Sequence, residues 1–435
     1  MAFTGTAIAR RQRCTLALLA GVALAWFTLR GPARAPGDSQ DLAVVWGSSR
    51  AWLAGLDPYD ADATAAAFLA GDGPPRITPN LPLKPVVFPP ASFPAFAVMG
   101  VMPWGWAFPI SVASAVALSV IALAALGRAA GLDGRRAVLF VLLGLSLAPV
   151  HTTISHGQPV AASVALLVLG WVVLGDRPAL AGVLMAFGAA LKPSLAGAFA
   201  LAGLLGGNRR WIVSAGATFL AFFGIGELRL RLAGHEGLPA WLRALSASTR
   251  HGVNSASPEN PGSAFMLNLE LPLRRLVDAP VTAQAIAVAI VLPMLLVASW
   301  KLWTDSSRRT GLRALSLLSV LSLLVMYHRF YDAVLLWLPL AVLIADWDEL
   351  GAWPRGLLAA ALAVFSVNGQ ALLLAMVEAG RVPGWALSTG LWRTMVMPHH
   401  PWTLLLLALG LTAWLLRAPG PAASGPPRRD EAGHG

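Results

Sequence analysis

The chain has 435 residues, 57% of them hydrophobic and only 12% charged. A soluble domain carries about 25% charged residues, so the charge needed to coat a water-facing surface is missing, and neither a row of soluble domains nor a disordered chain fits. A net charge of +11 would suggest nucleic acid in a soluble protein, but here the basic residues gather in short clusters between apolar runs, as membrane topology produces. The class is an all-α polytopic membrane protein with the bilayer as its surroundings and no nucleic-acid partner. The single cysteine, Cys14, excludes a disulfide framework and any cysteine-based metal site.

A spanning helix needs about 20 mostly apolar residues. Such runs lie at 14–30, 105–127, 137–152, 159–175, 179–191, 193–206, 211–227, 281–300, 312–327, 331–346, 355–377 and 401–417, which predicts about twelve spans. The pair 179–191 and 193–206 is short and meets at Lys192-Pro193. It crosses either as two helices or as one broken helix. With the N-terminus inside, the short inner segments hold Arg10, Arg11 and Arg13, then Arg128, Arg135 and Arg136, Arg209 and Arg210, and the cluster from Lys301 to Arg313. A single crossing of 179–206 would turn that last cluster outward, against the positive-inside rule. Arg10–Arg13, an apolar run and Ala33-Arg34-Ala35 also resemble a signal peptide, though the many spans that follow favour a retained first helix. Trp104, Trp106, Trp211, Trp300, Trp303, Trp402 and Trp414 sit at span ends, as interface anchors do.

This topology spends the polypeptide on the outer face, in loops 31–104, 228–280 and 378–400, so the chemistry is expected there. Residues 1–417 read as one transmembrane domain, and the Pro-, Gly- and Ala-rich tail 418–435 as a disordered cytoplasmic segment. The first outer loop opens Asp38-Ser39-Gln40-Asp41, with Leu42, Val45, Trp46, Trp52 and Leu53 at helical spacing. This predicts a short amphipathic helix lying on the membrane, capped by Asp38. Asp41 in its first turn serves either the helix dipole or, facing a cavity, as a carboxylate kept ionised and able to accept a proton. The helix ends at Gly55-Leu56-Asp57-Pro58-Tyr59-Asp60, a stop and turn signal. The proline-rich apolar segment 86–103 reads as an outer-leaflet or re-entrant helix, entered through Val87-Phe88-Pro89-Pro90.

Three further places carry polar groups at span ends. His151, His156, Gly157 and Gln158 form an outer turn, either hydrated or functional. Lys192 at its helix break is an anion anchor or a snorkelling interface residue. Tyr327-His328-Arg329-Phe330-Tyr331-Asp332 lies between two apolar spans. It is a site, or an internal Arg–Asp pair that stabilises the turn. No zinc-binding helix, EF-hand loop, phosphate-binding Gly-Lys loop or serine elbow occurs. No metal and no cofactor are expected.

In order along the chain, Asp41, Gly55-Leu56-Asp57-Pro58-Tyr59, Phe88-Pro89-Pro90, Gly157-Gln158, Lys192-Pro193 and the His328–Asp332 turn resemble glycosyltransferase family 87. That family comprises polyprenol-phosphate-mannose-dependent α-mannosyltransferases with a type C glycosyltransferase fold. The resemblance covers residues 14–417. It departs at Leu42-Ala43-Val44-Val45-Trp46, where an aromatic or apolar residue and then Val-Tyr is usual, and at Pro159, where Asn is common. The loop 250–275 matches only through Asn254 and Arg274-Arg275.

The resemblance implies a sugar donor on a polyprenyl phosphate and a glycolipid or glycan acceptor, meeting at the outer face of a bacterial inner membrane. It implies that Asp41 takes the acceptor proton in a single inverting displacement. Lys192, with His328 or Arg329, neutralises the lipid phosphate, while Asp57, Tyr59, His156, Gln158 and Asp332 bind substrate or support the site. Two other classes share the many spans and buried charges: a transporter or lipid flippase, although no inverted repeat relates the halves, and a non-catalytic member of the same fold.

Overall fold

The computed structural model describes residues 3–73, 86–250, 254–257, 260–277, 279–305 and 307–417; the tail read as disordered lies outside the described residues. Among the described residues every regular element is helical, apart from one isolated antiparallel bridge between Met266 and Arg329. In chain order the main helices are α1 (Phe3–Arg30), α2 (Gln40–Leu53), α3 (Ala61–Leu69), α4 (Ser92–Val101), α5 (Trp104–Ala129), α6 (Gly134–Ser146), α7 (Ala148–His156), α8 (Val160–Val173) and α9 (Pro178–Leu191). They continue with α10 (Pro193–Leu205), α11 (Arg209–Leu232), α12 (Leu238–Arg250), α13 (Pro280–Thr304), α14 (Arg308–Val325), α15 (Trp337–Ala345), α16 (Ala352–Val364), α17 (Gly369–Glu378) and α18 (His399–Arg417). A 3-10 segment, Phe330–Leu336, leads into α15.

Among the described residues, α5, α11, α13 and α18 are each long and apolar enough to cross a membrane. The bent pairs α6–α7, at 53°, and α16–α17, at 51°, bring the total to six if each pair is one span. Of the remaining predicted runs, those in α8, α9, α10 and the segment Phe330–Ala345 form shorter apolar helices, while 14–30 lies in the 28-residue α1 and 312–327 mostly in the 18-residue α14. At Lys192 the backbone is extended (φ −155°, ψ 92°), and Pro193 restarts the helix at a position where its missing N–H leaves no gap.

The helices differ in how much of their surface they hide. α14 is buried without a gap from Leu312 to Leu321, as a central rod must be. α11 fully buries only Trp211, Gly226 and Leu230, and packs one half-buried side on α9, where Phe222 meets Phe187 with ring centres 5.3 Å apart. Trp211 is therefore no interface anchor: its indole donates to the Met185 sulfur at 3.0 Å inside the fold.

Two further expectations need correction. α2 does not lie on a surface: residues Leu42 to Ser49, Ala51 and Trp52 are all buried. α4 covers its polar side, and Gly100 permits the approach, since a Cβ there would stand 2.9 Å from Leu53 and 3.1 Å from Ser49. The Ser48 and Ser49 hydroxyls donate to the Val45 carbonyl at 3.2 and 2.8 Å, so that polar face needs no water. Nor does Asp38 cap α2. It ends a separate turn, Ala35–Asp38, and pairs with Arg34 at 3.6 Å, while Ser39 takes the cap position. Asp41 still stands in the first turn.

The two bent pairs meet at their bends, where the Ala148 N–H donates to the Phe365 carbonyl at 2.8 Å. Pro149 opens α7, and Asn368 caps α17 by accepting from the Ala371 N–H at 3.1 Å. Where both pairs turn aside, the bundle opens into a cavity.

Candidate active site

The cavity holds about 430 Å³ and is walled by the end of α1, the start of α2, the length of α7, the turn 329–331 and the α16–α17 bend. Asp41, His156, Arg329 and Tyr331 lie on its wall, together with Arg30 and Arg34. The Asp41 side chain is 13% exposed, and His156 Nδ1 stands 3.7 Å from its Oδ2. This approach depends on Gly157. Its φ of +68° ends α7 in the left-handed region, and a Cβ there would stand 2.4 Å from the Leu42 Cβ. The Gly-Gln turn thus seats the end of α7 directly on the start of α2.

Arg329 is fixed from both sides. Its Nε donates to the Tyr327 hydroxyl at 2.6 Å and its Nη2 to the Asn254 amide oxygen at 3.0 Å. Tyr327 donates to the same Asn254 oxygen. Leu267 N–H bonds to the His328 carbonyl at 3.0 Å beside the Met266–Arg329 bridge, so the long segment 228–280 is laced to this turn. Burial works against the Arg329 cation, yet Tyr327, Tyr331 and Asp41 outweigh it and leave its pKa raised. Arg329 is a permanent positive charge within electrostatic range of Asp41.

Behind the Tyr331 ring lies a buried cluster. Asp332 is fully buried and accepts from Lys192 Nζ, from His328 Nδ1 at 3.2 Å and from the Arg329 N–H at 3.0 Å. Lys192 Nζ also stands 4.6 Å from the centre of the Tyr331 ring. The turn is therefore held by the Arg329 backbone and by Lys192. Lys192 and His328 do not line the cavity; Tyr331 lies between Lys192 and it.

Three other candidates lie elsewhere. Asp57 and Tyr59 are beyond the far end of α2, which is about 18 Å from Asp41 at 1.5 Å per residue. Asp57 accepts from the Tyr59 N–H at 2.9 Å, and the Tyr59 hydroxyl donates to the Phe88 carbonyl at 3.0 Å. Burial, with Asp57 and Glu227 adding to it, pushes the Tyr59 hydroxyl up, so it remains a donor. The pair ties the α2 stop signal to the segment that enters α4. Gln158 lines a separate apolar pocket between α2, α4 and α5.

Sequence reasoning missed Arg30 and Arg34 as cavity residues. Their position at the end of the first apolar run is the signal that was available, and it reads equally as an interface boundary. His151, although on the wall, is a structural residue: its Nε2 meets the Leu145 carbonyl at 2.8 Å and its ring packs edge-on to Trp26 and Phe27. Among the described residues no three histidine, cysteine or acidic side chains converge as metal ligands would.

The arrangement sets a nearly buried carboxylate and a fixed guanidinium on the wall of one cavity, with a second cation behind the Tyr331 ring. It can accept a proton at the carboxylate and receive an anionic leaving group at the guanidinium. A family model described as Glycosyltransferase family 87 matches residues 87–326, more than half of the chain. The matched stretch includes Gly157 and Lys192, begins after Asp41 and stops just short of Tyr327. No curated protein and no solved structure matches.

Proposed function

The chain belongs to glycosyltransferase family 87 and is a membrane glycosyltransferase, and from that premise we propose that it transfers a sugar, mannose by the family's habit, from a polyprenyl phosphate to a glycolipid or glycan acceptor. The observation that carries this reading is the shared wall of Asp41 and Arg329 in one cavity. In the proposed step Asp41 accepts the proton of the acceptor hydroxyl as its oxygen attacks the anomeric carbon. The bond from that carbon to the phosphate oxygen breaks, and the electron pair leaves with the lipid phosphate. A β-linked donor then gives an α-linked product.

Charge grows on the phosphate as the bond breaks, so a fixed cation there favours the transition state over the bound donor. Arg329 meets the phosphate from the wall. Lys192, held by Asp332 behind Tyr331, adds positive potential at the same spot, and His328 orients Asp332. His156 steadies the Asp41 carboxylate. The fold is read as type C, with twelve crossings, both termini cytoplasmic and the cavity at the outer face. The short-loop arginine clusters support that topology.

The test is transfer by purified protein from a panel of polyprenyl-phosphate sugars. At least one donor should yield product or released polyprenyl phosphate; hydrolysis or transfer from none overturns the reading. Reporter fusions at Gly237 and Ser307 should fall on opposite sides of the membrane, and a common side overturns the topology.

A further inference from the structure

The chain has three tyrosines, and the hydroxyls of two are already bonded. Tyr59 donates to the Phe88 carbonyl, while Tyr327 accepts from Arg329 and donates to Asn254. Tyr331 differs. It is half-buried on the cavity wall, and its hydroxyl has no hydrogen-bond partner among the described residues. A buried polar group left unpaired costs about 1–3 kcal/mol, so this hydroxyl takes its partner from what fills the cavity.

Two features point to that partner. Tyr331 lies within electrostatic range of both Asp41 and Arg329, the base and the cation of the proposed step. Yet its hydroxyl is not bonded to the Asp41 carboxylate; His156 stands beside Asp41 instead, at 3.7 Å. The second feature is behind the ring, where Lys192 Nζ lies 4.6 Å from its centre. A cation on one face draws electron density from the ring and makes its O–H a stronger donor. Lys192 is itself held by Asp332 and does not line the cavity. Its charge is thus presented there as a polarised hydroxyl. A strong donor beside a fixed guanidinium suits an oxygen that gains negative charge.

We propose that Tyr331 is a catalytic residue whose hydroxyl donates to the departing phosphate oxygen of the sugar donor, an inference that rests on the lipid-phosphate reading above. As the bond from the anomeric carbon to that oxygen breaks, the electron pair stays on the oxygen. The Tyr331 O–H donates to it and keeps its proton, while the acceptor's proton goes to Asp41. Arg329 brings charge to the phosphate as a whole; Tyr331 brings a directed hydrogen bond to the atom whose charge changes most. That bond strengthens as the charge grows, so it acts on turnover more than on donor binding.

Tyr331→Phe keeps the ring and its place over Lys192 and removes only the hydroxyl. With a donor that the wild type uses, kcat should fall by about 10²-fold while donor KM stays within about twofold and the melting temperature is unchanged. The acid limb of the kcat/KM profile, set by Asp41, should not move. A kcat within about twofold of wild type overturns the proposal. So does an acid limb displaced to higher pH, which would mean that the hydroxyl serves Asp41. Fluorinated tyrosines placed at 331 in the full-length chain grade the acidity of the same hydroxyl. Turnover should rise with that acidity at a pH where the phenol stays protonated, and a flat or falling series overturns the assignment. Binding of plain polyprenyl phosphate, the product, needs no turnover. It should be about tenfold weaker to Tyr331→Phe than to wild type, and equal affinity overturns the assignment. Absence of transfer from every donor, with that difference in binding retained, would count against the glycosyltransfer reading alone.

Discussion

Two buried carboxylates, Asp332 and Asp346, mark the two ends of one rod formed by the 3-10 segment and α15. They are roughly 20 Å apart at helical rise. Both are neutralised by cations from other helices, yet they are built differently. Asp346 accepts from Arg309 at 2.6 Å, from Arg313 at 2.7 Å and from the Trp414 indole at 2.9 Å, with Glu349 taking the outer side of both arginines. Every group there has its partner, and the cluster fastens α14, α15 and α18 together. Asp332 has the same kind of partners, but the Nε2 of its His328 is buried without a hydrogen-bond partner among the described residues. Its Lys192 faces the ring that walls the cavity. The first network is complete, while the second leaves one buried imidazole nitrogen without a partner among the described residues.

Catalysis separates the two ends most sharply. Asp41→Asn keeps the first-turn position and removes the proton acceptor. Turnover should fall by about 10²–10⁴ with the melting temperature unchanged. Initial rates and a thermal melt on the same preparation check this, and near-normal turnover would show that another group is the base. Asp57→Asn, in the turn beyond the far end of α2, is the control and should act mainly on stability.

Lys192→Met comes next. It leaves Asp332 buried without its main cation, and loss of one partner of a buried pair costs about 3–5 kcal/mol. Lys192→Met with Asp332→Leu should regain stability but not activity, with kcat and donor affinity both reduced. Recovery of activity in the double variant would make this cluster a fastener like the other.

At the opposite end, Asp346→Ala strands Arg313. Because the Arg309 flank is half exposed, the expected loss is nearer about 3 kcal/mol. Activity per folded molecule should remain normal, measured by active-site titration against total protein.

The smallest effect is on pH dependence. Burial raises the Glu270 carboxyl above its ordinary value, while Arg274 pulls the other way. A carboxyl raised in the folded state gives stability that is present below its unfolded pKa and lost as the pH rises through the folded one. Glu270→Gln should therefore flatten the decline in melting temperature just above pH 4.5. An unchanged slope would show that the folded carboxyl is not raised.

The sequence reveals the helices more readily than it reveals what they touch. Apolar runs mark most of the bundle, and Lys192-Pro193 marks its break, because proline can start a helix but not continue one. The burial of α2 is hidden because serines that satisfy their own helix carbonyls look, in sequence, like a water-facing stripe. At the site, Asp41 stands out by its place in a first turn, and the 327–332 turn by its charges. The pairing of Lys192 with Asp332 joins residues 140 positions apart, and no local pattern encodes it. Arg30 and Arg34 are hidden for another reason: arginines ending an apolar run are ordinary, and only the bends of two other helix pairs turn them into cavity walls.

That separation between Lys192 and Asp332 also has a temporal meaning. A ribosome adds about 5–20 residues per second, so Lys192 is in place for roughly 7–28 s before Asp332, 140 positions later, is made. During that interval α9 and α10 carry an ammonium at their junction with no carboxylate to receive it. Until the 327–332 turn is made, the junction of α9 and α10 lacks the carboxylate that holds Lys192 in the finished fold. A chain interrupted before the 327–332 turn would be left with an unanswered charge in its interior, the kind of defect by which membrane quality control recognises an unfinished protein.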